Sequence, residues 1–92
     1  MRKDYFEFIE SWYDNKCDGS WEHAYGIDIS TLDNPGWQVK VTGENGKNFF
    51  KENREGDDDW YRVNANDKEF LGYGGSKNLG DLLRLLENWI KN

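Results

Sequence analysis

The chain contains one cysteine and one histidine, Cys17 and His23, six residues apart. A cysteine acts as a nucleophile when an imidazole lies within hydrogen-bond reach and a third group orients that imidazole. The spacing identifies no third group, and the carboxylates of Asp14, Asp18 and Glu22 disfavour a thiolate beside them. The sequence therefore predicts that the protein is not an enzyme, and a small enzyme using Cys17 and His23 is the alternative.

The same region offers few ligands for a metal ion. Zinc sites use pairs of Cys or His at short spacings, whereas this chain has one of each. The acidic run at residues 57–59 lacks the alternating ligands and the glycine of a calcium loop. The glycine-rich segment 72–75 is no phosphate loop, because Lys77 stands where the GxGxxG motif needs its last glycine. We expect no metal ion and no cofactor.

Length and composition describe the kind of molecule in which these residues lie. The 92 residues are 36% hydrophobic and 16% aromatic, which is enough for one small core, and we expect a single domain over residues 1–92. No apolar run exceeds two residues, so a transmembrane helix is excluded and no signal peptide is predicted. A single cysteine is typical of a reducing compartment. The sequence predicts a soluble, cytoplasmic protein.

The net charge of −6 is concentrated in the first part of the chain. Residues 1–36 carry eight acidic and three basic residues, a net charge of −5, whereas residues 37–92 carry ten and nine. Nucleic acids and anionic membranes bind clustered Lys and Arg, so neither is an expected partner. The imbalance favours a cationic partner, although a solvated acidic helix face accounts for the same pattern.

Helical periodicity is confined to the two ends of the chain. Apolar residues recur at helical spacing from Tyr5 to Trp12 and from Leu79 to Ile90. Period-two alternation between them predicts about five strands, the first within residues 22–30, and Asn45-Gly46 is typical of a tight hairpin turn. This order predicts an α+β fold: an N-terminal helix, a mainly antiparallel meander sheet and a C-terminal helix, with both helices on one face.

One tryptophan falls outside both patterns. Trp21 lies between the first helix and the first strand, among acidic residues, where it either anchors a partner or closes one end of the core. Tryptophan is enriched in interface hot spots, and surrounding acids steer a basic partner toward them. We expect the partner-binding residues to cluster around this junction and the turn at residues 33–36. These residues are Asp14, Asp18, Trp21, Glu22 and Asp33.

Two long strings in the first half have an unusual composition. Residues 17–27 read CDGSWEHAYGI and residues 31–37 read TLDNPGW. Together with Trp12-Tyr13, Asp58-Asp59-Trp60, the segment 70–75 and the closing Leu/Trp helix, they resemble the immunity protein 53 family of bacterial polymorphic toxin systems. The resemblance implies a small cytosolic α+β protein that binds and neutralises a cognate toxin without catalysis.

Family membership does not name the toxin. By analogy with antibacterial toxins that act on nucleic acids and present basic clefts, an acidic inhibitor suits a basic toxin domain. Stoichiometric occlusion is the mode of inhibition that we expect. Besides the small enzyme, a ligand-binding or structural module is the other alternative that the sequence leaves open.

Overall fold

A computed structural model describes residues 4–91 and shows an α+β fold. Helix α1 is followed by a single turn of helix, five strands and a C-terminal helix. Their bounds are α1 (Tyr5–Lys16), α2 (Trp21–Ala24), β1 (Ile27–Leu32), β2 (Gly36–Thr42), β3 (Phe49–Gly56), β4 (Asp59–Ala65), β5 (Glu69–Gly74) and α3 (Leu79–Lys91). The predicted fold class is confirmed. No helix within the described residues is long and apolar enough to cross a lipid bilayer.

The five strands form one antiparallel sheet, but they do not form a meander. Their order is β1-β2-β5-β4-β3, so β5 pairs with β2 on one side and with β4 on the other. Residues 43–48 cross the ends of β5 and β4 to reach β3 at the far edge. Strands β2 to β5 therefore have a Greek-key order, and the meander prediction is wrong.

The predicted hairpin at Asn45-Gly46 is also wrong. Such a turn needs positive φ at both central residues, and within residues 4–91 only Gly19 and Gly43 have positive φ. Gly46 instead packs so closely on the indole of Trp89 that a Cβ atom would overlap the ring. Its N–H donates to the carbonyl oxygen of Asp67 at 3.2 Å. The glycine at this position accommodates tertiary packing, and the chain crosses the sheet there.

Helix α3 covers one face of the sheet and forms the centre of the core. Its residues Leu82, Leu86 and Trp89 are fully buried. Helix α1 packs beside α3 and adds Ile9 and Trp12 to the same core. The fully buried sheet residues beneath them are Val39, Val41, Val63 and Phe70. The opposite face of the sheet is uncovered by any described helix. The fold thus leaves two free surfaces: the outer side of α1, α2 and β1, and the bare face of the sheet.

Candidate interaction surface

Residues 18–22 form a self-capped helical turn. One carboxylate oxygen of Asp18, Oδ1, accepts from the backbone N–H groups of Ser20 and Trp21, both at 2.9 Å. The carboxylate of Glu22 reaches back to the N–H groups of Asp18 at 3.0 Å and Gly19 at 2.8 Å. This reciprocal capping starts α2 at Trp21, so residues 21–24 are helical. The prediction of a strand from residue 22 is wrong for that reason.

The same hydrogen bonds affect the ionisation of Asp18. Donation by the backbone N–H of Trp21, followed by that of Ser20, lowers the pKa of Asp18 below its usual value. The side chain is exposed, and hydrogen bonds to the ionised form of a carboxyl group favour that form. Asp18 is therefore a persistent negative charge at the surface of the α2 turn.

Trp21 is the centre of a cluster of four rings that we call the aromatic corner: Trp12, Tyr13, Trp21 and Tyr25. Trp21 meets Trp12 edge-on at 5.6 Å between centroids, and Tyr13 and Tyr25 lie at 5.8 and 6.1 Å. Its indole N–H donates to the carbonyl oxygen of Gly43 at 2.8 Å. Gly43 has a φ of 87°, and Trp21 and Tyr25 occupy the space that a Cβ would need. Trp21 therefore fixes the start of the crossing segment 43–48.

Glu44, the next residue, holds α1 to the same segment. Its carboxylate accepts from the Trp12 indole N–H at 2.8 Å, from Lys16 Nζ at 3.1 Å and from the N–H of Asn45 at 3.0 Å. Burial alone would raise the pKa of Glu44, but the hydrogen bonds from Trp12 and Asn45 and the charge of Lys16 outweigh it. The pKa is therefore lower than usual.

The sequence did not identify Glu44 as important. A buried Trp12 on a predicted helix signals that its indole N–H needs an acceptor. The acceptor lies 32 residues away, and nothing local to Glu44 distinguishes it from other surface acids.

The structure brings together only part of the predicted partner-binding set. Asp18, Trp21 and Glu22 lie on the α2 turn, and Asp14 is exposed on α1, about 200° around the helix from Trp12. Asp33 lies in the turn after β1, at the opposite end of that six-residue strand, which places it about 20 Å from α2. The expected single cluster therefore does not form.

Cys17 and His23 do not form a catalytic pair in the described residues. No hydrogen bond joins them, and Cys17 ends α1 whereas His23 is exposed on α2. A hydrogen bond between the Cys17 and Tyr13 side chains is the main cause that raises the pKa of Tyr13. The described residues also contain no cluster of three or more potential metal ligands. The described residues therefore show neither a nucleophile–base pair nor a metal-ligand set around Cys17 and His23.

A groove of about 600 Å³ runs between α1 and β1. It combines apolar and aromatic side chains with three carboxylates, and no described lining residue is basic. Its lining residues are Asp4, Phe6, Glu7, Ile9, Glu10, Tyr13 and Ile27. The Phe6 side chain is 67% exposed, so the groove presents an aromatic ring to its surroundings beside these carboxylates.

The bare face of the sheet has a different character. Arg62 lies over the ring of Phe50 and Arg54 lies over that of Trp60, both 5.6 Å from the ring centroid. Lys40 pairs with Glu69 at 3.6 Å. The cations on this face are therefore matched within the molecule by rings and carboxylates.

These features define a small α+β domain with an acidic, aromatic surface on α1, α2 and β1. The sequence model described as immunity protein 53 matches residues 6–91, and the chain belongs to that family. The resemblance found in the sequence is thereby confirmed. No curated protein and no solved structure matches the chain.

Proposed function

We propose that this protein binds a cognate toxin in the cytoplasm and neutralises it by stoichiometric occlusion, without catalysis. Membership of an immunity protein family gives the general role. The observation that carries the finer proposal is the acidic, aromatic side of the molecule. Exposed rings beside several carboxylates suit a protein partner that presents basic and apolar groups.

The charges on this side favour a basic toxin domain. Between residues 4 and 36 the chain has eight acidic side chains and a single basic one, Lys16, and Lys16 is paired with Glu44 at 3.1 Å. Among the described residues of this segment that is the one ion pair, so the segment keeps a net negative charge that can act on a partner. Fields of one sign raise the rate at which an oppositely charged protein associates. Nucleic acid and membrane surfaces are repelled by the same field.

Within this surface we assign different roles to the residues that the sequence singled out. Asp14, Asp18 and Glu22 supply charge on α1 and the α2 turn. Trp21 contributes mainly by holding the aromatic corner in place, since much of its ring contacts its neighbours. Asp33 supplies charge at the far end of β1, so a partner must extend along β1 to reach both ends.

A titration tests the mode of inhibition. The cognate toxin domain is held at a fixed concentration well above the dissociation constant, and its activity is measured against added protein. Occlusion predicts a linear loss of activity that is complete at one equivalent, with a 1:1 complex by light scattering. Complete inactivation by a small fraction of an equivalent would contradict occlusion and favour the small-enzyme alternative.

A further inference from the structure

No described strand pairs with the outer edge of β1, and the hydrogen-bond pattern shows which of its backbone groups face outward. The N–H of Thr42 donates to the carbonyl oxygen of Gly26 at 3.0 Å. Bonded and non-bonded pairs alternate along an antiparallel ladder, and the β1–β2 register is unbroken. The N–H and C=O groups of Ile27, Ile29 and Thr31 therefore belong to non-bonded pairs and point away from β2. Since β1 is the terminal strand of the sheet, no described strand accepts or donates hydrogen bonds there.

Apolar side chains lie uncovered beside this open edge. Ile29 is opposite the fully buried Val39 and shares its helix-covered face, yet Ile29 is 39% exposed. Ile27 belongs to the groove between α1 and β1, together with the exposed Phe6. An additional strand beside β1 would place every second side chain on this face, against Ile29 and the groove.

The other edge of the sheet shows what a protected edge looks like in this molecule. A single row of cross-strand neighbours runs from Ile29 through Val39, Gly72 and Val63 to Lys51 on β3. Lys51 is exposed, and β3 is irregular between Arg54 and Gly56. A lysine and a bulge are devices that prevent strands from adding to an edge. At the other end of this row, β1 has the apolar Ile29, which does not oppose the addition of a strand.

We propose that the toxin adds an extended segment to β1 as a sixth strand of the sheet. This inference rests on the proposed function and specifies how the partner is held. The segment carries apolar residues that face Ile29 and the groove, flanked by Lys or Arg that meet Glu7 and Glu10. Backbone hydrogen bonds to Ile29 and Thr31 give affinity, and the groove with its carboxylates gives selectivity. Such a strand spans the distance between Glu22 and Asp33.

Charge decides between the toxin and a second copy of this chain as the occupant. Pairing two β1 edges about a twofold axis would bring together the two acidic grooves, each containing Asp4, Glu7 and Glu10. Like charges at such an interface are destabilising. A basic segment instead neutralises these carboxylates, so the occupant is a cationic part of the toxin.

Residue-resolved hydrogen exchange tests the backbone contact directly. The isotopically labelled full chain is measured alone and with the cognate toxin domain. The proposal predicts that the amides of Ile29 and Thr31 exchange at least tenfold more slowly in the complex, while the β3 amides do not change. A complex without new protection at these amides would overturn strand addition and leave the proposed function intact. Failure to form a complex would contradict the proposed function itself.

Two pairs of variants test the same edge by affinity. Ile29→Lys gives β1 an edge lysine like Lys51 of β3 and should weaken toxin binding at least tenfold. Asn53→Lys adds the same charge to β3 and should leave toxin binding unchanged.

Thr31→Pro removes an outward N–H of β1 without removing a hydrogen bond to β2, and it should weaken toxin binding. Thr31→Val, which keeps that N–H, is its control. Circular dichroism verifies that each variant is folded. Equal binding by all four variants would overturn the proposal, as would protection of β1 that increases with the concentration of this chain alone.

Discussion

The acidic side of the molecule and the bare face of the sheet both expose aromatic rings, but they treat charge in opposite ways. On the bare face, Phe50 and Trp60 lie beneath Arg62 and Arg54. On the acidic side, the exposed Phe6 shares its groove with carboxylates and apolar side chains, and no described residue of that groove is basic. The cation–π contacts of the bare face are made within the molecule, whereas a group of negatively charged carboxylates attracts a basic partner. This difference in charge is why we place the proposed interface on the acidic side and not on the bare face of the sheet.

The two sides also differ in how their rings are held. Trp21 contacts three other rings and bonds to Gly43, while Phe50 is 56% exposed. We predict that Trp21→Ala lowers the free energy of unfolding by about 3 kcal/mol, and that Phe50→Ala changes it by less than about 1 kcal/mol. Denaturant unfolding of both variants measures the difference. Equal losses would show that the aromatic corner is not a structural support.

Charge reversal tests the two sides for partner attraction. Glu10→Lys combined with Asp14→Lys changes two exposed residues of α1, and we predict a roughly tenfold slower association with the toxin, about 1.4 kcal/mol. The matched control, Glu52→Lys with Glu55→Lys on β3, makes the same change in net charge. Stopped-flow association rates for both double variants provide the comparison. If the β3 pair has the larger effect, the interface lies on the other side.

Glu44, in the crossing segment that packs against α1, contributes to stability. Its carboxyl is only 16% exposed, and its pKa is lowered by the hydrogen bonds from Trp12 and Asn45 and by Lys16, against the effect of burial. We predict that Glu44→Gln costs about 1 kcal/mol at neutral pH. Because the folded pKa is depressed, this contribution is present above the unfolded pKa and disappears as the pH falls through the folded pKa.

Thermal unfolding of wild type and Glu44→Gln across the acidic range tests whether the stabilisation by Glu44 is lost as the pH falls. The two melting temperatures should converge as the pH is lowered from neutrality to below the folded pKa of Glu44. A gap that widens on acidification would contradict the assigned role of this carboxylate.

The smallest effects are expected at Cys17 and His23. We predict that Cys17→Ser and His23→Gln each change the free energy of unfolding by no more than about 0.5 kcal/mol and leave protection from the toxin intact. Cell survival during toxin expression measures protection. A folded variant that binds the toxin but no longer protects would support the enzyme alternative.

The parts of the fold that the sequence predicted are those with local, repeated patterns. The apolar spacing of α1 and α3 spans several turns, and the Asp4 side chain starts α1 by accepting from the N–H of Glu7 at 3.0 Å. By contrast, α2 has four residues, which is too short to display a helical period. The order of the strands depends on pairing between distant segments, and no local pattern distinguishes a meander from a Greek key.

The candidate site divides in the same way. Acidic residues and Trp21 near the first junction were visible in the sequence because they are neighbours in it. The groove joins α1 to β1, and the open edge is defined by which strand ends the sheet. Both depend on the tertiary fold, so no spacing rule could have located Phe6 beside Ile27.

The salt dependence of toxin association tests the central claim most directly. Surface charges act over about one Debye length, ~10 Å at 0.1 M salt and ~3 Å at 1 M. If the acidic side steers a basic toxin, the association rate constant of the wild-type protein should fall at least tenfold between roughly 0.05 M and 0.5 M salt, with a much smaller change in the dissociation rate. An association rate that does not change with salt would contradict the account.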